Sequence, residues 1–269
     1  METLLDGLAM VESARWHDDR LWFAHWGVGE VIAVDLDGTA EVMAPGPPMM
    51  GWAIDWLPDG RLVSTGDAVR VGSEVLRDGA TNEVVVGRQG HIYVNGIDGG
   101  FSFTEPGWID LLLPDGTSRR VADDIRFPNG MVLTPDGCTL VVAESVGGCL
   151  TAFDVLDGGS LARRRTWAEG LGPDGIAVDA GGGIWAQTAD TFAHNGRPDA
   201  PAGAVVRVLD GGEITHRIET PLPCFACVVG DGHLFLLCNE WEGIDNAAKV
   251  QAQRSARIFV ADLASIPPA

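Results

Sequence analysis

Glu12, Asn82, Asn129 and Asp174 carry side-chain oxygens at matching places in a repeated strand-turn-strand pattern, about seven residues before each tight turn. Trp52 and Cys224 hold the same place in the two remaining segments, and Glu12 is offset by one at a turn without glycine. Two carboxylates and two amides do not belong in an apolar core, because burying them unpaired costs several kcal/mol. A hard divalent cation satisfies such a ring of oxygens and leaves open positions for water or substrate, as a catalytic metal site requires. A hydrogen-bonded polar plug around trapped water satisfies it equally. Spacing alone leaves both readings open.

The segments are VESARWHDDRLWF, WAIDWLPDGRLV, NEVVVGRQGHIYV, NGMVLTPDGCTLVV, DGIAVDAGGGIW and CFACVVGDGHLF. Each reads as a short strand, a tight turn and a second strand. Asp-Gly turns fall at 37–38, 59–60, 115–116, 136–137, 157–158, 210–211 and 231–232. Several neighbours lie roughly 21 residues apart, so a four-stranded unit takes about 42 and the 269 residues hold six. The expected fold is all-β, a single domain over 1–269: a six-bladed propeller of four-stranded antiparallel blades around a central channel. The first strand of each blade is innermost, so the four oxygen-bearing residues begin strands around that channel.

Composition narrows the partners. A formal charge of -20 repels nucleic acid and anionic membrane. Lys249 is the only lysine, which disfavours Schiff-base chemistry. METLLDGLAM lacks the basic start and apolar run of a signal peptide, and no apolar stretch reaches the length of a bilayer span. Five cysteines, an odd number, do not resemble a disulfide framework. A cytoplasmic location is expected, with the oligomeric state left open.

Two long motifs, IRFPNGMVLTPDGCTLVVAES (125–145) and GPDGIAVDAGGGIW (172–185), closely resemble central motifs of the regucalcin/gluconolactonase/luciferin-regenerating-enzyme family. The resemblance runs from Glu12 and Trp16 to the closing strand at Arg257. It implies a six-bladed propeller with one divalent metal in its channel, calcium first, with magnesium, manganese or zinc as other occupants. It implies metal ligands Glu12, Asn129 and Asp174, with Asn82 touching metal or substrate. Many members hydrolyse lactones. The chain departs from the pattern where Ser13 and Ala14 replace the Gly-Pro after the first ligand. Ala80 and Glu83 stand where members often have Arg and Asp around the second-blade Asn, and His25 stands for a common Asp. Ala80 weakens the case for a sugar lactone, since the arginine is a natural partner for hydroxyls.

The implied reaction is hydrolysis of a small lactone or ester, with a cation polarising the carbonyl and stabilising the oxyanion. Asp174 is the candidate general base, or else only a ligand. No Gly-x-Ser-x-Gly, His-Glu-x-x-His or phosphate-cradling glycine motif is present. Cys227 and Cys238 read as core, whereas Cys224, at the channel register, is a substrate-side candidate. Substrate contacts are expected from Asn82, His25, Trp26, Glu144 and Cys224. The connections at the channel mouth add Phe101, Phe103, His194 and Trp241, an aromatic set that suits a flat or apolar ligand. Segment 244–254 is the one good helix former and reads as a short lid or a connection. The altered substrate wall leaves two alternatives: a non-catalytic metal- or ligand-binding propeller, and phosphotriesterase or lyase-type chemistry on the same fold.

Overall fold

Short apolar runs such as RLWFAH, TLVVAE and HLFLLC form strands, and the Asp-Gly pairs reverse the chain between them. The glycine of every such pair has a left-handed backbone, with φ from 73° to 96°, which an L side chain rarely adopts. The computed structural model describes residues 1–47, 49–100, 102–191 and 202–269.

The described strands form six antiparallel four-stranded sheets arranged as a six-bladed propeller. Five blades follow chain order, at 11–45, 54–81, 84–125, 128–169 and 177–219. The sixth takes three strands from the C-terminal region, Cys224–Gly230, His233–Cys238 and Ala256–Asp262. Its outermost strand is the N-terminal Glu2–Leu8, so the two ends of the chain close the ring together. The six-segment register leaves that strand unassigned. No side chain of the strand is fully buried and its pairing is irregular, so it carries little strand pattern. Apolar side chains fill the seams between blades. Val132, Val141, Ile184 and Val206 join the fourth and fifth, and Val11, Phe23, Phe235 and Ile258 join the sixth and first. In the sixth blade, Ile244–Asn246 makes a 3-10 turn into the short helix Ala247–Gln253. Among the described residues no helix is long and apolar enough to cross a membrane.

A belt of polar side chains sits where the second strand of each blade ends. Thr65 Oγ1 accepts from Ala53 N (2.7 Å) and donates to Asn82 O, joining the second blade to the third. Asn95 accepts from Glu83 N (3.1 Å) and donates to Asn129 O (2.7 Å) in the fourth. Ser145 Oγ donates to Pro173 O (2.7 Å), and Asn239 bonds both Val11 N (2.9 Å) and Val11 O (3.0 Å) across the closure. Gln187 takes Asp174 N (2.8 Å) and gives to Gly175 O (2.9 Å), while His25 Nε2 accepts from Ala9 N (2.9 Å). These bonds satisfy backbone groups at the starts of the inner strands, where no sheet partner reaches them. Replacing Asn239 by Leu strands two buried backbone groups, and urea unfolding should show a loss of about 2–4 kcal/mol. A loss below about 0.5 kcal/mol would deny the belt a structural role.

Candidate functional site

The inner strands bend where the belt grips them. Pairing of Val11–His17 with its neighbour shifts register between Glu12 and Arg15, and Ser13 lies in the left-handed region at φ 54°. Such a bulge re-aims the side chain beside it. Ser13 keeps that conformation by accepting Ile54 N at its Oγ (2.9 Å), while its own N donates to Glu12 Oε2. A glycine takes this backbone without strain, which accounts for the family pattern at the position that Ser13 fills here. Register shifts also fall at Pro128/Met131 and Cys224/Ala226, next to Asn129 and at the start of the sixth inner strand.

Two glycines let the bent strands close on one another. A Cβ on Gly130 would sit 2.5 Å from Asp174 O. One on Gly175 would sit 2.6 Å from Glu12 Oε1 and 2.7 Å from the Ala226 Cβ. Glu12 Oε1 therefore rests against bare backbone. It is buried and has no hydrogen-bond partner. Asn129 hydrogen-bonds the Asp174 carboxylate and donates from Nδ2 to Ser145 Oγ (3.3 Å). Glu12 and Asp174 influence each other electrostatically, Asn129 influences Asp174, and Asn82 is half-buried at the start of the third blade.

Sequence reasoning treated Glu83 only as a departure, yet its buried carboxyl lies near enough to Glu12 to alter the proton affinity of that side chain. Arg15 lies beneath the pair, with Nη2 at 3.5 Å from Glu83 Oε2 and 2.7 Å from Val84 O. Burial, then the charges of Glu83 and Asp174, hold the Glu12 carboxyl well above the usual carboxylate range, with Arg15 opposing. Burial and Glu83 do the same to Asp174, opposed by the Asn129 hydrogen bond. Burial also raises Glu83. Its side chain is one methylene longer than the family's Asp, a difference visible in the sequence but without a direction there.

Other expected contacts resolve differently. His25 is 2% exposed, with Nε2 in the belt and Nδ1 3.5 Å from Glu30 Oε2. Burial lowers its pKa. Glu144 accepts from Arg126 N (2.7 Å), Thr151 Oγ1 (2.5 Å) and Arg164 Nη2 (2.8 Å), so both oxygens are engaged inside the fourth blade. Cys224 packs with Trp185, Cys227 and Cys238, and Trp52 with Ala24, Val31 and Ile54. Glu144, Cys224 Sγ and His25 Nε2 are engaged within the blades, whereas His25 Nδ1 is buried without a hydrogen-bond partner. Trp26 does stand at the mouth, in a cluster with Met10, Met50, Phe225 and Trp241. Phe103 stacks on Phe127 with ring centroids 5.2 Å apart. Phe101 and His194 lie outside the described residues.

A cavity of about 620 Å³ opens at the other end of the channel, lined by Arg15, Trp16, Asp55, Tyr93 and Met131 among others. It lacks Glu12, Asn129 and Asp174. The chemistry-bearing groups, not this cavity, define the candidate site. Among the described residues no three His, Cys, Asp or Glu side chains form a metal-holding group by themselves. The fit therefore rests on carboxylates combined with amide oxygens. The orphaned Glu12 oxygen, its glycine cradle and the hard-oxygen character of the set all suit a divalent cation.

A family model described as the SMP-30/Gluconolactonase/LRE-like region matches residues 10–236. Among solved structures, a luciferin-regenerating enzyme superposes with a TM-score of 0.77 at 13% identity, over 98% of this chain and 95% of that one. A gluconolactonase from Xanthomonas campestris gives 0.71 at 22% identity, over 96% and 89%. A calcium-binding protein, regucalcin, from Agrobacterium tumefaciens gives 0.70 at 19%, over 95% and 91%. At these identities the likeness to the solved structures shows the fold alone.

Carboxyls with raised pKa bind protons in the folded state that the unfolded chain has released. The stability that Glu12 and Asp174 contribute in the cation-free protein should therefore be fully present below the ordinary carboxylate range, about pH 4, and be lost as pH rises through the raised values. Melting curves from pH 4 to 8 should show this fall, and Glu12→Gln or Asp174→Asn should flatten it. An identical slope in both variants would mean that these groups do not carry the effect.

Proposed function

The chain belongs to the SMP-30/gluconolactonase/LRE-like family, and on that premise we propose that it is a divalent-cation-dependent hydrolase of small lactones. One observation carries the reading: Glu12 Oε1 is buried without a partner against Gly175, the residue after Asp174, whose carboxyl raises the proton affinity of Glu12. Burying that oxygen unpaired is costly, and a cation relieves the cost. Calcium is the first choice, because the donors are all hard oxygens and the regucalcin neighbour is a calcium-binding protein.

Glu12, Asn129 and Asp174 would hold the cation, with Asn82 beside it on the open side. When bound, the cation supplies polarisation of the lactone carbonyl and stabilisation of the developing oxyanion. Asp174 takes the proton from the attacking water on a carboxylate oxygen and returns it to the departing alkoxide as the ring opens. This carboxylate would be held ionised by a bound cation, as a base requires. Gln187 fixes the base by bonding the Asp174 N and Gly175 O on either side of it. Arg15 holds Glu83 on the channel wall and balances part of the carboxylate charge.

A pH-stat assay over a lactone panel tests the proposal. Wild-type protein with calcium should turn over at least one lactone, chelation should abolish turnover, and Asp174→Asn should lower kcat by about 10²–10⁴. Full activity after chelation or in Asp174→Asn would overturn it. Tight cation binding with no turnover across the panel would instead favour a cation-holding propeller without catalysis, the reading that the altered wall at Ala80 supports. A phosphotriester hydrolysed in preference to every lactone would move the chemistry to that class.

A further inference from the structure

Most polar side chains at the ends of the second strands are already engaged. His25, Asn95, Gln187 and Asn239 are each at most 2% exposed, and their hydrogen bonds go to backbone of the inner strands or the segments leading into them. A polyhydroxylated ligand would find few free partners in that belt, and a buried unpaired hydroxyl is unfavourable. Ala80, exposed at the end of the second blade, offers no hydrogen bond in place of the arginine of the family pattern.

An apolar cluster of Met10, Phe225, Trp26, Met50 and Trp241 lies next in sequence and structure to the inner strands. Met10 stands two residues before Glu12, and the Phe225 carbonyl accepts from Gly175 N (2.7 Å), one residue beyond Asp174. Phe225 meets Trp241 edge to face with ring centroids 5.4 Å apart. Met50 and Trp26 complete the cluster, and Trp26 is fixed by its Nε1 bond to Trp52 O (2.7 Å). Trp26, Met50 and Trp241 are half-buried, so the cluster keeps an accessible side. Trp241 follows Asn239 on the connection to the closing strand of the sixth blade, which places an aromatic ring on a segment anchored at the belt.

Resting on the hydrolytic reading above, we propose that the substrate is a lactone bearing an apolar alkyl or aryl substituent. That substituent packs against Phe225, Trp241, Met10, Met50 and Trp26 while the ester group meets the carboxylate ring. Apolar contact of this kind strengthens with each methylene buried, whereas a sugar lactone gains nothing from it.

Non-hydrolysable lactams test the assignment without turnover. Calcium-loaded protein is titrated with γ-lactams carrying methyl, butyl, hexyl or octyl chains, and with glucono-δ-lactam, by calorimetry and tryptophan fluorescence. Affinity should rise by about three- to fourfold per methylene, with the octyl lactam binding far more tightly than the glucono compound. Trp241→Ala should at least halve the logarithmic gain per methylene and leave the methyl lactam unaffected, and Phe225→Leu should act in the same direction. Glucono-δ-lactam binding as tightly as the octyl lactam, or a chain-length dependence unchanged in both variants, would overturn the assignment. Chain-length-dependent binding with no lactone hydrolysed would sink the hydrolytic reading and leave the apolar site standing.

Discussion

Everything at the candidate site depends on the hydrogen-bond belt that fixes where the inner strands begin. A propeller leaves the first backbone groups of those strands without a sheet partner, and these must be satisfied from somewhere. Thr65, Asn95, Ser145, Gln187 and Asn239 satisfy them from the ends of the second strands, mostly across the seam to the next blade. The result is a set of bulged starts held at a common depth. The belt holds the backbone at or beside Glu12, Asn129 and Asp174.

The belt makes an electrostatic conflict unavoidable. Glu12, Glu83 and Asp174 are brought together out of water, with Arg15 the cation beside them. Their raised proton affinities express that conflict in the cation-free protein. Protons and a divalent cation are two ways to relieve it, so cation affinity must rise as the carboxyls deprotonate. A solvent-filled plug would relieve it less well, since Glu12 Oε1 is closed off against Gly175 and Ala226.

Much of this was legible in the sequence, and the exceptions share a cause. The Asp-Gly turns encode left-handed corners, so their spacing reported the blades directly. Asn129-Gly130 and Asp174-Gly175 each pair an oxygen donor with the glycine that permits close approach, so the motif carries its own geometry. Position in the repeat did not decide which way a side chain turns. Trp52 and Cys224 hold the same register as the oxygen donors, yet both pack into seams. Polar residues at strand ends are equally ambiguous in sequence. His25 and Glu144 looked like channel-mouth contacts and are engaged within the fold. The N-terminal strand escaped notice because an outermost strand buries too little to show alternation.

The most direct measurement is an anomalous difference map from crystals soaked in calcium. The account predicts one channel peak bounded by Glu12 Oε1, Asn129 and Asp174, about 2.3–2.6 Å from the carboxylate oxygens. A channel without a peak at saturating calcium, or calcium bound only at surface carboxylates, would contradict it.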